Sequence, residues 1–449
     1  AASPRTHRAR MLGLLPGRVL GRMRPAETAA LWQLYEQTDG ANWTKNENWD
    51  LANDPCRLFR VRRPHVGDRY DVASEVMAGD EWYEPTPWYG VSCSDPCDDY
   101  LDGDACYHGR ATALRLRQNG LRGDLDWTRM GEMANLTHVD LAYNSIGGAL
   151  PTELGLLNNA EFLQFSNSPL AGVLPTELGQ INSHGPMTYG THRGDRAGQG
   201  FVVQPRLREI TLQDTSISGY LPSQLGVLTG LQYLDGARAR LSGTIPTEIA
   251  GLTALQVLYL SENGAGRGLS GSLPTLFGAN MSEVRYIQLN ENRLSGPIPE
   301  AIGGMQMLTQ LLLGRNELEG NIPTQIGLLT SLRSALTLND NHISGTIPSE
   351  IGELRALSIL DLYANDLTGD PPASIANMIN LRQFYVDQEQ LTPLLVWFCR
   401  ERLRPGKYNY RILRDEWERL SQATCANPYT FLEAFGTLDE IEEGEGAYR

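Results

Sequence analysis

The sequence predicts an α/β solenoid, a right-handed coil of short repeats with parallel strands on a curved, concave face and irregular or 3-10 turns on the convex side. Two observations carry this. Prolines recur at Pro151, Pro175, Pro222, Pro246, Pro274, Pro299, Pro323, Pro348 and Pro372, mostly 24 or 25 residues apart. Ahead of each stands an apolar pair at alternate positions, such as Leu258 and Leu260, Leu311 and Leu313, or Leu360 and Leu362. Alternation with a period of two turns one face of a short strand into a core. A coil of this length cannot bury its own faces, so about eleven must stack.

The repeated units read "VRYIQLNENRLSGPIPEAIGG", "LTQLLLGRNELEGNIPTQIGL" and "LSILDLYANDLTGDPPASIAN". A period of this length with this leucine spacing is a leucine-rich repeat. The residues resemble the plant-type extracellular leucine-rich-repeat family, whose unit is L-x-x-L-x-L-x-x-N-x-L-x-G-x-I-P, over about two-thirds of the chain. The asparagines at the bend, Asn119, Asn144, Asn292, Asn316, Asn341 and Asn365, are expected to satisfy buried backbone groups of their own coil and the next.

In chain order the organisation is as follows. Residues 1–25 form a basic arm, with Arg5, Arg8, Arg10, Arg18, Arg22 and Arg24 and no acid. Residues 26–110 resemble the family's N-terminal cap: a helix opening near Pro25, then Trp43, Trp49 and Trp88 as core anchors. The resemblance implies a disulfide between Cys56 and Cys93. Residues 111–392 are the repeats. Residues 393–432 resemble a C-terminal cap, closed by Cys399 and Cys425, and residues 433–449 form an acidic tail. Caps cover apolar edges that an open solenoid would expose.

The array departs from its period in four places. An inserted loop at 181–203 doubles one proline spacing to 47. Four residues within "GAGRG" enlarge the repeat after Asn263, and one is added near Ser334. Around the large insertion the bend residue becomes Ser168, Thr215 and Ala239, so the asparagine ladder is weakest there.

Composition excludes several classes. The net charge of −15 argues against nucleic acid as a partner. No apolar run approaches the length of a membrane span. The seven histidines are scattered, and no serine, cysteine or paired-carboxylate constellation stands at a catalytic spacing, so a non-enzymatic protein without a cofactor is expected. Six cysteines confined to the two ends point to an oxidising compartment, and Ala1 in place of Met is read as a removed targeting peptide. The sequons at Asn42, Asn135 and Asn280 agree with a secreted or cell-surface glycoprotein, although about three are expected by chance.

Four sets of residues are candidates for function. In and just after "CSDPCDDYLDGDAC", Cys93, Cys97, Cys106 and His108 can bind zinc, but irregular spacing and the oxidising context favour a disulfide from Cys97 to Cys106. Asp98, Asp99, Asp102 and Asp104 in the same loop are a weak calcium candidate, set against a solvated acidic turn. The outward strand positions form a concave binding face: Asp140, Tyr143, Asp214, Asp235, Tyr259, Glu262, Glu291, Arg315, Asp340, Asp361, Tyr363 and Tyr385. That face is read as a polar, acidic surface for a protein, peptide or glycan, the alternative being side chains that are polar only to stay wet. Finally, Arg8, Arg10, Arg18 and Arg22 of the arm can meet the acidic tail of another copy, giving a homo-oligomer or filament. The inserted loop adds a contact candidate, with an Arg-Gly-Asp tripeptide at Arg193 and Asp195.

The resulting expectation is extracellular protein-protein recognition or a self-assembling cell-surface structure. A receptor-like ectodomain or co-receptor for a peptide or glycan, or an inhibitor of a secreted hydrolase, stands as the alternative.

Overall fold

Period-two alternation with an apolar residue at the centre of each parallel strand produces one continuous sheet. The computed structural model describes residues 25–47, 49, 90–93, 111–125, 128–181, 206–263 and 268–386. Twelve strands line one face: β1 (Val91–Cys93), β2 (Ala111–Arg115), β3 (His138–Asp140), β4 (Phe162–Gln164), β5 (Glu209–Thr211), β6 (Tyr233–Asp235), β7 (Val257–Tyr259), β8 (Tyr286–Gln288), β9 (Gln310–Leu312), β10 (Ala335–Thr337), β11 (Ile359–Asp361) and β12 (Gln383–Tyr385). β1 pairs antiparallel with β2, and every later neighbour is parallel.

Register lines up the strand centres. Val139, Leu163, Ile210, Leu234, Leu258, Ile287, Leu311, Leu336 and Leu360 fall in one row, and all are buried. Each such side chain contributes about 1.5–3 kcal/mol by leaving water. β4 and β5 pair in register although the chain between them includes the inserted loop, so the stack is unbroken there.

Away from this face stand short strands and 3-10 turns, and from Thr152–Leu156 onward the described turns are each opened by a proline. Pro299, at φ −69° and ψ 141°, stands at the head of Glu300–Gly304, and Ile302 donates its N–H to the Pro299 carbonyl. Proline suits this place because its φ is preset and the turn needs no N–H there. Before each proline a glycine takes positive φ. Gly148 (φ +86°) is held because a Cβ would lie 2.6 Å from the Leu125 carbonyl oxygen.

The asparagine ladder joins each coil to its predecessor, not to its successor as the sequence had suggested. Asn316 Nδ2 donates to the Leu313 carbonyl of its own coil and to Leu289 of the coil before, and its Oδ1 accepts from Leu294 N–H. Asn144, Asn292, Asn341 and Asn365 repeat the pattern. The reason is geometric: the bend follows the strand, and the orphaned groups face back across the stack. Asn263, absent from the expected set, is a full member, reaching Gly236 O and Leu241 N. Ser168 bridges back only at 3.3 and 3.5 Å, Thr215 bonds within its own coil to Leu212, and Ala239 has no side-chain donor or acceptor.

At the N-terminal end, helix α1 (Pro25–Gln37) closes the core. Trp43 and Trp49 are buried and form an aromatic cluster with Tyr35, at centroid distances of 4.8 to 5.6 Å. Buried Glu27 accepts the Ala111 N–H, and Asn119 is bonded both ways to the Lys45 backbone, which ties the helical end to the first coil. Trp88, the arm, the acidic loop with Asp98, Asp99, Asp102 and Asp104, residues 393–449 and the Arg193 to Asp195 tripeptide lie outside the described residues. So do all cysteines except Cys93, and the expected pairings therefore stay expectations.

Candidate functional site

Side chains on a strand alternate, so the residues flanking each buried centre face outward together. The sheet face thus carries two strand rows, and a third row follows at the bend. The sequence reading identified the residue after the centre and the bend row. It passed over the residue before the centre, where His138, Phe162, Glu209, Tyr233 and Tyr286 stand. The signal was available, because a period of two puts both flanking residues on the same face.

The bend row is shaped by backbone. Tyr143, Asp214, Arg238, Glu262, Glu291, Arg315 and Asp340 all take φ between 48° and 60°, immediately before the ladder residue. Side chains of successive coils then stand side by side and pair. Arg238 donates to both Asp214 oxygens at 2.7 and 2.9 Å and to Glu262 at 3.3 Å. Arg315 repeats this between Glu291 at 3.0 Å and Asp340 at 3.7 Å. These triads are exposed, so each ion pair is worth about 0–1 kcal/mol. Their effect is to hold the charges of this row against one another.

Nearer the N-terminal end, Arg117 lies 4.3 Å from the Tyr143 ring centroid and 3.9 Å from Asp140. Asp140 also accepts the Ala142 N–H, and burial raises its carboxyl above the ordinary value. Beside it His138 stacks on Phe162 at 4.5 Å; burial, then Arg115, lowers the imidazole, favouring its neutral form.

The centre of the face is the most perturbed. Tyr233 and Tyr259 meet edge to face, with centroids 5.9 Å apart and planes at 77°. Asp235 is opposite Tyr259 in the register and two residues beyond Tyr233 on the same strand. The sequence places it among the outward residues of the concave face, and it is only 5% exposed. Its Oδ1 accepts the Ala237 N–H, and burial pushes its carboxyl up to about 6, the Ala237 bond and Arg238 offsetting part of that. Glu209 is opposite Tyr233 on β5, and Gln164 donates to its carboxylate. Both tyrosine hydroxyls are raised, chiefly by burial.

Toward the C-terminal end Asp361 accepts the Tyr363 N–H and is in register with Tyr385 on β12. Of the sequon asparagines, Asn42 and Asn280 are exposed and Asn135 is half-buried. No three metal-ligating side chains converge among the described residues.

With this geometry the chain is a leucine-rich-repeat solenoid. The Leucine Rich Repeat family model matches residues 135–157 and 283–305. The chain is similar to Receptor-like protein 32 of Arabidopsis thaliana, 31% identical over 117 residues, which is 25% of this chain and 13% of that protein. It is also similar to the ectodomain of the A. thaliana membrane receptor kinase GASSHO1/SCHENGEN3 solved with Casparian strip integrity factor 2. Identity there is 32% and the TM-score 0.55, over 66% of this chain and 31% of that one. The Arabidopsis receptor kinase HAESA, solved with a peptide hormone and a co-receptor, matches at 26% identity and TM-score 0.52, over 67% and 44%. The chain therefore spans less than half the length of these relatives.

Proposed function

We propose that the protein is an extracellular, non-enzymatic recognition module that binds an extended peptide across the sheet face. The observation that carries this is the surface of β3 to β8, where half-buried aromatic side chains alternate with carboxylates on a rigid sheet. Aromatic bodies supply contact area at low entropic cost, and polar groups between them fix a backbone. Similarity to a receptor kinase solved with a peptide hormone supports the same reading. Secretion, sugar on the three sequons, and disulfides in both caps belong to this proposal as its expected context.

The test is selection of binders from a random peptide display library on the purified full chain. Selected peptides should lose affinity to Tyr286→Arg on the sheet face and keep it with Glu248→Arg on the turn side. Peptides indifferent to Tyr286→Arg, or an empty selection, would overturn the proposal.

A further inference from the structure

Resting on the peptide-recognition reading, we propose that Tyr233, Tyr259 and Asp235 form a seat on the sheet face for a guanidinium, so that the peptide it takes carries an arginine at this point. Three observations converge on it. The two rings stand at 77° with centroids 5.9 Å apart, an aromatic corner of the kind that draws an organic cation to its ring faces. Asp235 lies beside that corner, 5% exposed, one oxygen held by the Ala237 N–H. Glu209, across the strand pair from Tyr233, adds a second carboxylate.

The charge at this corner is only partly answered from within the chain, by Arg238. Among the described residues neither Asp235 nor Glu209 forms an ion pair, and Arg238 directs its hydrogen bonds to Asp214 and Glu262 instead. A buried carboxylate without a counter-charge is costly, and a ligand cation offsets that cost.

The same face shows how the seat is filled. At Asp140, which occupies on β3 the place that Asp235 has on β6, the chain's own Arg117 supplies a guanidinium, 4.3 Å over Tyr143 and 3.9 Å from the carboxylate. At Asp235 the position equivalent to Arg117, three residues past the centre of the preceding strand, is the uncharged Gln213, and Arg238, in the place of Tyr143, pairs with Asp214 and Glu262, so the acid is present and no guanidinium is paired with it. Arginine fits better than lysine because its plane stacks on a ring while its edge donates to a carboxylate.

The experiment uses the full chain and three acetylated pentapeptide amides, Gly-Gly-X-Gly-Gly, with X arginine, lysine or citrulline, titrated calorimetrically. Citrulline keeps the shape and loses the charge. The arginine peptide should bind about tenfold or more tighter than the citrulline peptide, with lysine between them. Asp235→Asn and Tyr259→Ala should each abolish that preference, while Glu248→Gln leaves it intact. Equal binding of arginine and citrulline peptides, no detectable binding of the arginine peptide, or a preference that survives Asp235→Asn would overturn the seat. Library-selected peptides that lose affinity to Tyr286→Arg but bind Asp235→Asn unchanged would overturn it while leaving the wider reading standing. An arginine preference abolished by Asp235→Asn alongside an empty selection would do the reverse.

Discussion

At Asp235 a side chain that the repeat turns outward is nevertheless taken out of water. Its carboxyl, ordinarily at 3.8, is raised to about 6 by that burial. The folded state therefore holds the proton more tightly than the unfolded state. Stability from this group is fullest below the ordinary value and is lost as pH rises through the window up to about 6. Asp235→Asn keeps an oxygen for the Ala237 N–H and removes the charge. It should raise stability near neutral pH by up to about 3 kcal/mol, the worth of a shift of roughly two pH units. Urea unfolding at neutral pH and at about pH 4 checks this, with the gain vanishing at the acid end. Arg315 is the contrasting residue. Exposed between Glu291 and Asp340, it should cost under about 1 kcal/mol when changed to Ala, and less in high salt.

At the scale of the element, the bend decides how one coil is joined to another. A single amide at Asn316 serves three buried carbonyls, those of Leu289, Leu313 and Gly314, and one N–H. Asn316→Ala leaves the Leu294 N–H without its acceptor, while Leu289 and Leu313 keep the amides of Asn292 and Asn341, and should cost about 1–3 kcal/mol, read from the midpoint of chemical unfolding. Ala239 is the natural counterpart, since its coil lacks the amide. By analogy with Asn263, an asparagine there would accept the Ile217 N–H, which now reaches only Thr215 Oγ1 at 3.5 Å. Ala239→Asn should therefore stabilise by about 1 kcal/mol, and a loss instead would show that the packing at this bend leaves no room for the amide.

Across the whole molecule, stability is a sum of coils and of the interfaces between them. Three successive coils, those of Ser168, Thr215 and Ala239, have weak or missing ladder bonds, whereas Asn263 through Asn365 form a continuous run. The amides of β5 and β6 should exchange with deuterated water faster than those of β8 and β9. Equal protection would mean that leucine stacking alone sets local stability. The weak coils also present the aromatic corner, so this region combines the densest recognition chemistry with the loosest lateral joints.

The sequence by itself determined the solenoid, the strand centres and the turns. A period of 24 or 25, a two-residue alternation and a proline per coil are local rules, repeated until only one stacking satisfies them. It also located the weakened ladder at Ser168, Thr215 and Ala239, since losing an amide is visible in the letters. The outward residues of the candidate face were legible one row at a time: Asp140, Asp235 and Tyr259 were named, while Phe162, Glu209 and Tyr233 were not. What only the tertiary structure decided is which outward side chains meet. Tyr233, Asp235 and Tyr259 come from two coils, and Asp214, Arg238 and Glu262 from three. Their distances, the burial of Asp235 and the commitment of Arg238 follow from register across the stack. The ladder's direction was decided there too, because which neighbour an amide reaches depends on how the coil folds back, and a one-coil pattern is the same read either way.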